Sequence, residues 1–311
     1  MKDIDLLKTQ SDFIASLDHQ GKSYNTLKNY KTDLNIFNQY LQLKNKDLVL
    51  KELTSEQVAD YSLFLNNKYN SPNSIRRRVQ SLRMYFDYLI GQDIIESNPI
   101  KKILVSPKVV DLPKPTFFYD IKKIKTYLES KIKHTNGHES LLYQRNLVLM
   151  YLIYGAGLKV SDIERLNVSS INEKDGIYRV LVAPDKRDAF TVKIDKSFSE
   201  VYPIYLENLE TCKIKDKIEF DNLLFNANPY RILKGGLSAR GIEVIFKDLK
   251  KTIDIETTAK SLRQACIFKW LTYDVPESRI KEWMSVQPKY SLAPFKMLAE
   301  REPEKYTFQE I

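Results

Sequence analysis

Histidine is scarce in this chain: His19, His134 and His138 are the only three, and none lies beyond residue 138. Whatever the second half does, it does without imidazole, which excludes histidine acid–base catalysis there. Cysteine is scarcer still. Cys212 and Cys266 are too few for a disulfide framework and too far apart for a paired metal site, so two reduced thiols, no metal and no cofactor are expected. No apolar run reaches the roughly 18 residues of a membrane span. The longest, around 147–156, reads as a buried helix. The opening MKDIDLLKTQSDF puts acids where a secretory leader needs an apolar core, so a cytoplasmic protein with no membrane partner is expected.

What the chain has is length and positive charge. At 311 residues it suits two domains better than one, because single cores tend to divide beyond about 250 residues. Its net charge of +9 favours a polyanionic partner. Abundant Lys, Ile, Asn and Tyr are not the composition of a disordered chain.

Residues 1–105 read as a helical unit. Leu27, Tyr30, Leu34, Phe37, Tyr40 and Leu41 recur at three- and four-residue spacing, an amphipathic helix pattern. Thr54 with Gln57 offers a capping box before Val58, Tyr61 and Leu65. Ser71-Pro72 opens another long helix through Val79, Leu82, Tyr85, Phe86 and Leu89, and Asn98-Pro99 closes the unit. Residues 106–115 carry Pro107, Pro113 and Pro115 and predict an extended linker. Residues 116–311 predict a second, mostly helical domain. Within it, Gly176–Ile194 alternates apolar and polar about Pro184–Arg187 and predicts a β-hairpin. The expected fold class is mainly α with a small β-hairpin or sheet.

The segments SYNTLKNYKTDLNIFNQYL and SPNSIRRRVQSLRMYFDYLIGQDIIESNPI resemble the core-binding domain of tyrosine recombinases and phage-type integrases. The turn Tyr154–Ile163 (YGAGLKVSDI) resembles the same family's TGLRVSEL turn. The likeness extends over about residues 8–298, with spacing most similar to Xer-type recombinases. It implies a two-domain C-shaped clamp on double-stranded DNA. It also implies a C-terminal tail, here Lys296–Ile311, that docks on a neighbouring subunit, so a homo-oligomer or a hetero-oligomer with an active recombinase is expected.

The family's active-site pattern is His-x-x-Arg, a second His or Trp 23 residues after that Arg, and the Tyr nucleophile 9 residues later. Those positions here are Lys260, Arg263, Val286 and Phe295. In the TGLR-like turn, Lys159 stands where the family's Arg meets the scissile phosphate; it keeps the charge and loses the two-pronged fork. The family's hairpin lysine falls on Ala183 in a gapless count or on Lys186 if the hairpin is shifted, and the residues leave both open. Lysine at 260 is a poor proton shuttle near its ordinary value, though a good permanent cation. Phe295 has the ring of the nucleophile without its oxygen. Tyr290 lies five residues earlier, and helical rotation of about 100° per residue turns its ring elsewhere. It therefore reads as a packing or phosphate-contacting tyrosine, with a displaced nucleophile as the alternative.

Lys159, Lys260 and Arg263, with Lys186 and Arg187 at the hairpin tip, are thus expected to hold a backbone phosphate. Arg76, Arg77, Arg78 and Arg83 are expected to carry a second DNA-facing surface, joined by Ser23, Asn25 and Thr26 at a helix start. Arg240, just after the loop beginning at Lys234, and Lys247, Lys250 and Lys251 extend it. The leading expectation is a non-catalytic, site-preferring DNA-binding protein, acting as an architectural or regulatory factor or as silent partner of an active recombinase. The rivals are an active recombinase using Tyr290 or a tyrosine donated by another subunit, and a protein-interaction module without DNA binding.

Overall fold

A computed structural model describes residues 5–44, 55–101, 103, 112–184, 188–228, 230 and 232–311. The chain divides into two compact units, Met1–Asp111 and Leu112–Ile311. The expected boundaries at 105 and 116 lie close to that division. Most of the expected linker, like Thr54 of the expected capping box, lies outside the described residues.

The first unit contains helices α1 (Leu6–His19), α2 (Tyr24–Leu43), α3 (Ser55–Lys68) and α4 (Pro72–Gly91). Each start has a local cause. The Asp5 carboxylate accepts from the Leu7 N–H at 2.8 Å, Ser23 Oγ from Thr26 N–H, and Ser71 Oγ from Ser74 N–H, with Pro72 pre-set in the first turn of α4. Ser23 is therefore engaged in capping its own helix. The apolar stripes meet in one core through Phe13 and Leu17 of α1, Leu34 and Phe37 of α2, Tyr61 and Leu65 of α3, and Leu82 and Phe86 of α4. Phe37 meets the edge of Tyr61 at 5.1 Å between ring centres. Full burial of side chains of this size stabilises by about 1.5–3 kcal/mol each, which is what orders the four helices against one another.

The second unit is built around α6 (Gly137–Met150), which runs on into a π-helical turn, Tyr151–Gly155. From Leu147 to Tyr154 every side chain is buried, as the apolar run predicts. Around it pack α5 (Phe118–His134), the short α7 (Val160–Ile163), α8 (Phe198–Asp216), α9 (Ala239–Ile253), α10 (Ala259–Thr272), α11 (Glu277–Trp283), α12 (Ala293–Arg301) and α13 (Pro303–Tyr306). The expected hairpin is present as β2 (Ile177–Val182) against β3 (Phe190–Lys193), with Val180 opposite Val192. It is the larger part of a three-stranded antiparallel sheet, because β1 (Ile171–Lys174) pairs with the other edge of β2. A separate pair, β4 (Phe225–Ala227) and β5 (Leu233–Gly235), has no counterpart in the sequence expectation. Strands of three or four residues are too short to show a period of two.

The tail departs from expectation. Instead of presenting all of its apolar residues outward, it folds back on its own unit. Tyr306 stacks on Phe268 at 4.7 Å, Phe308 is fully buried beside the same ring, and Tyr154 donates its hydroxyl to the Gln309 carbonyl at 2.6 Å. Tyr306 and Phe308 are thus packed within their own unit, whereas Met297 of the same tail is exposed. Among the described residues no helix is long and apolar enough to cross a membrane, and no cluster of side chains is suited to a metal ion.

Candidate functional site

Leu158, Lys159 and Val160, between the π turn and the body of α7, form one wall of a pocket of about 290 Å³. Gly157, at φ +68°, turns the chain just before them; a β-carbon there would lie 2.3 Å from the Trp270 ring, so only glycine permits this approach. The turn exposes the Gly157 carbonyl to α10, where Arg263 Nε donates to it at 2.7 Å. The same guanidinium donates through one terminal nitrogen to the Met284 carbonyl at 2.6 Å. Two backbone oxygens thus fix its plane, while its other N–H groups have no partner among the described residues. Burial pulls Arg263 below the ordinary arginine value, and nearby Asp162 opposes that shift.

Lys159 stands at the N-terminal end of α7. Its backbone N–H donates to Asp162 at 3.2 Å, and its ammonium lies 3.8 Å from the same carboxylate. That contact holds the lysine close and offsets part of its charge. Lys260, three residues before Arg263 on α10, is exposed and has no carboxylate partner among the described residues. Lys159, Lys260, Arg263, Tyr290 and Phe295 all line the pocket. Three of the expected cations are therefore brought together, and Phe295, 3% exposed and 5.2 Å from the Phe268 ring, closes its inner side. Val286 packs against the core and is not part of the lining.

Tyr290 overturns one premise. The argument that five residues of helix would swing it away requires a helix between 290 and 295. There is none: α11 ends at Trp283, α12 begins at Ala293, and the intervening residues form turns. Tyr290 N–H closes one of these on the Gln287 carbonyl at 2.8 Å, and Lys281 donates to the Pro288 carbonyl at 3.2 Å. Both rings consequently face the same pocket. Met284 escaped the sequence reading, which named Tyr290 but turned its ring elsewhere; the Pro288 within that segment was the signal that no helix continues through it.

A buried ion pair lies behind the π turn. Lys269, on α10, pairs with Asp195 and also donates to the Gly155 carbonyl at 2.9 Å. Burial raises Asp195 above the usual carboxylate range, with Lys269 opposing. Asp195 also accepts from the Ile311 N–H at 3.2 Å. This pair braces the turn that presents Gly157, and spacing gave no sign of it.

Ala183 is exposed just past β2 and does not line the pocket. Lys186 and Arg187 lie outside the described residues. Arg240 is exposed on α9 and pairs with Glu243 of its own helix at 2.9 Å.

The expected arginine surface of the first unit is largely redirected inward. Asp33, wholly buried on α2, accepts from Arg77 at 2.6 Å and from Ser81 at 2.7 Å. Arg78 is buried 3.9 Å from the same carboxylate, donates to the Ser74 carbonyl and stacks on Tyr69 at 3.7 Å. Arg83 donates to the Ile103 carbonyl at 2.6 Å. A buried carboxylate demands compensation, and these side chains supply it or tie down the chain end. Arg78 and Arg83 are thereby corrected to structural residues, and Arg77 is shared between Asp33 and solvent. Arg76 remains exposed, beside a cleft that Thr26, Asn29 and Tyr30 also line.

Chemically, the second unit offers an apolar-backed pocket with three cations and one phenol, suited to a singly charged phosphodiester. The phage integrase SAM-like domain family model matches residues 5–105. The chain is 24% identical over 237 residues to the tyrosine recombinase XerD of Listeria monocytogenes serovar 1/2a, covering 76% of this chain and 75% of that one. It is 26% identical over 245 residues to the tyrosine recombinase XerC of Staphylococcus carnosus, covering 78% and 76%. Its fold matches a lambda integrase dimer bound to a COC′ core site, with a TM-score of 0.66 and 15% identity over 96% of this chain and 79% of that one. It likewise matches XerH site-specific recombinase bound to palindromic difH substrate in a post-cleavage complex, with a TM-score of 0.68 and 14% identity over 92% and 79%. Residues 5–105 thus match the phage integrase SAM-like domain, and over about three quarters of its length the chain is similar to tyrosine recombinases of the XerC and XerD kind.

Proposed function

We propose that this protein binds duplex DNA by holding a backbone phosphate in the Lys159–Lys260–Arg263 pocket, and that it does not cut the strand. It acts as a site-preferring architectural or regulatory factor, or as the silent member of an assembly with an active recombinase, on cytoplasmic DNA. The observation that carries this reading is the composition of the pocket. Its positive charges converge, while Phe295 fills the inner position with a ring that has no oxygen. Strand transfer needs an atom that attacks phosphorus and keeps the bond energy for rejoining; a benzyl group supplies none. Residues 1–105 would serve as the core-binding domain, 106–115 as linker and 116–311 as the phosphate-holding domain. Arg76, Lys186, Arg187 and Arg240 would add backbone contacts.

Titration of labelled duplex across a salt series tests the reading. Affinity should fall steeply with salt, and replacing both Lys159 and Lys260 with alanine should flatten the slope by about two counterions. Weak binding that ignores salt would instead support a protein-interaction module.

A second reading has one observation in its favour: Tyr290 lines the same pocket as Arg263. A phenol there would make the chain an active recombinase with a displaced nucleophile. A covalent complex with DNA separates the two.

A further inference from the structure

The family's second histidine or tryptophan position is occupied here by Val286, whose side chain packs into the core and leaves the pocket without that neutral hydrogen-bond donor. Two neutral donors line the pocket: the Gln264 amide, whose Oε1 accepts from the Lys114 N–H at 3.0 Å, and the Tyr290 hydroxyl. Three observations bear on the hydroxyl. Tyr290 reaches the lining because residues 286–292 are irregular chain with one turn, pinned by the bonds from Tyr290 N–H to Gln287 and from Lys281 to Pro288. Its side chain is 37% exposed, and among the described residues its hydroxyl has no hydrogen-bond partner. Arg263, close enough to feel the phenol's charge state, is held in place by Gly157 and Met284 and cannot swing to satisfy it. A solvent-facing phenol without a partner, beside a fixed guanidinium and two lysines, completes a four-point receptor for a phosphodiester.

We infer that Tyr290 is a phosphate-binding residue, its hydroxyl donating to a nonbridging oxygen of the phosphate held by Arg263, in place of the donor lost at position 286. This rests on the proposed DNA binding and deepens it: the occupant is a diester anion, and the contact is a neutral O–H donor with no bond to phosphorus made or broken. The turn-borne position also frees the contact from the helix α12 that carries Phe295. A loss at 286 and a gain at 290 are thus paired in one segment.

The test measures duplex affinity of the full chain and of Tyr290→Phe at low salt. One hydrogen bond to a charged partner predicts an affinity about tenfold lower for the variant, with the salt slope unchanged because no cation is lost. A set of duplexes, each with one neutral methylphosphonate, supplies a readout that a merely structural role would not move. At the phosphate in the pocket, neutralisation should weaken wild type more than Tyr290→Phe; elsewhere both should respond alike. Equal affinities of wild type and variant, or a uniform deficit at every methylphosphonate position, would overturn the inference while leaving the proposed DNA binding intact. Absence of salt-dependent binding by wild type would instead defeat that underlying proposal and the inference with it. A covalent protein–DNA adduct lost in Tyr290→Phe would assign the residue as nucleophile and overturn its role as a donor.

Discussion

Arg263 donates to the Gly157 carbonyl at 2.7 Å, across a turn that only glycine can make against the Trp270 ring. This single contact joins the α7 turn to α10 and sets the direction in which the guanidinium faces the pocket. In the proposed reading, Lys159 stands where the resemblance expects an arginine and Phe295 where it expects a tyrosine, so that positioning by backbone carbonyls and packing would persist without the reactive side chains.

Gly157→Ala should damage both stability and binding. The added methyl meets the indole 2.3 Å away, and the backbone at φ +68° disfavours any β-carbon. A cost of at least about 2 kcal/mol is expected from strain and overpacking together. Chemical denaturation checks it, and the folded fraction should bind duplex more weakly because the carbonyl that orients Arg263 is displaced.

The buried pair of Lys269 and Asp195 should behave non-additively. Lys269→Met leaves a carboxylate buried without its cation and should cost about 3–5 kcal/mol, whereas the double variant with Asp195→Asn should recover part of that. The pH dependence has a definite sign. Burial raises Asp195 in the folded state, so its protonated form favours folding, and the benefit is lost as pH rises through the folded value. Removing Lys269 takes away what lowers that value, so the deficit of Lys269→Met should shrink as the solution is acidified below neutrality. Denaturant titrations of wild type and variant across that range check this.

Within the first unit, two neighbouring arginines should give opposite results. Arg78→Ala removes compensation from buried Asp33 and the stack on Tyr69, and should lower stability by about 2–3 kcal/mol. Arg76→Ala, on the exposed face, should leave the unfolding midpoint nearly unchanged and reduce the salt slope of duplex binding by about one counterion. Thermal melts paired with salt-series titrations distinguish the two roles.

The contrast between those arginines marks what the sequence could and could not disclose. The helices were legible from local signals: Ser71-Pro72 begins α4 and the Val79–Leu89 spacing gives its buried stripe. Lys159, Lys260 and Arg263 were legible as a group because spacing relative to a known pattern fixes the backbone that carries them. Arg78 was not, because its partner Asp33 is buried on α2 and no local rule connects the two. The direction of the Tyr290 ring was misjudged for a related reason. Its position depends on where α12 starts, and a helical period was extended through residues that form turns. The tail was misplaced because Phe308 is buried by residues far away in the chain, including Phe118 and Phe268.

The most direct test of the central claim offers wild-type protein a nicked suicide duplex, in which cleavage near the nick releases a short fragment and traps any covalent intermediate. The account predicts tight, salt-sensitive binding to this substrate with no protein–DNA adduct surviving denaturation. An adduct that forms with wild type and disappears in Tyr290→Phe would contradict it, because the pocket around Arg263 would then cut the strand it holds.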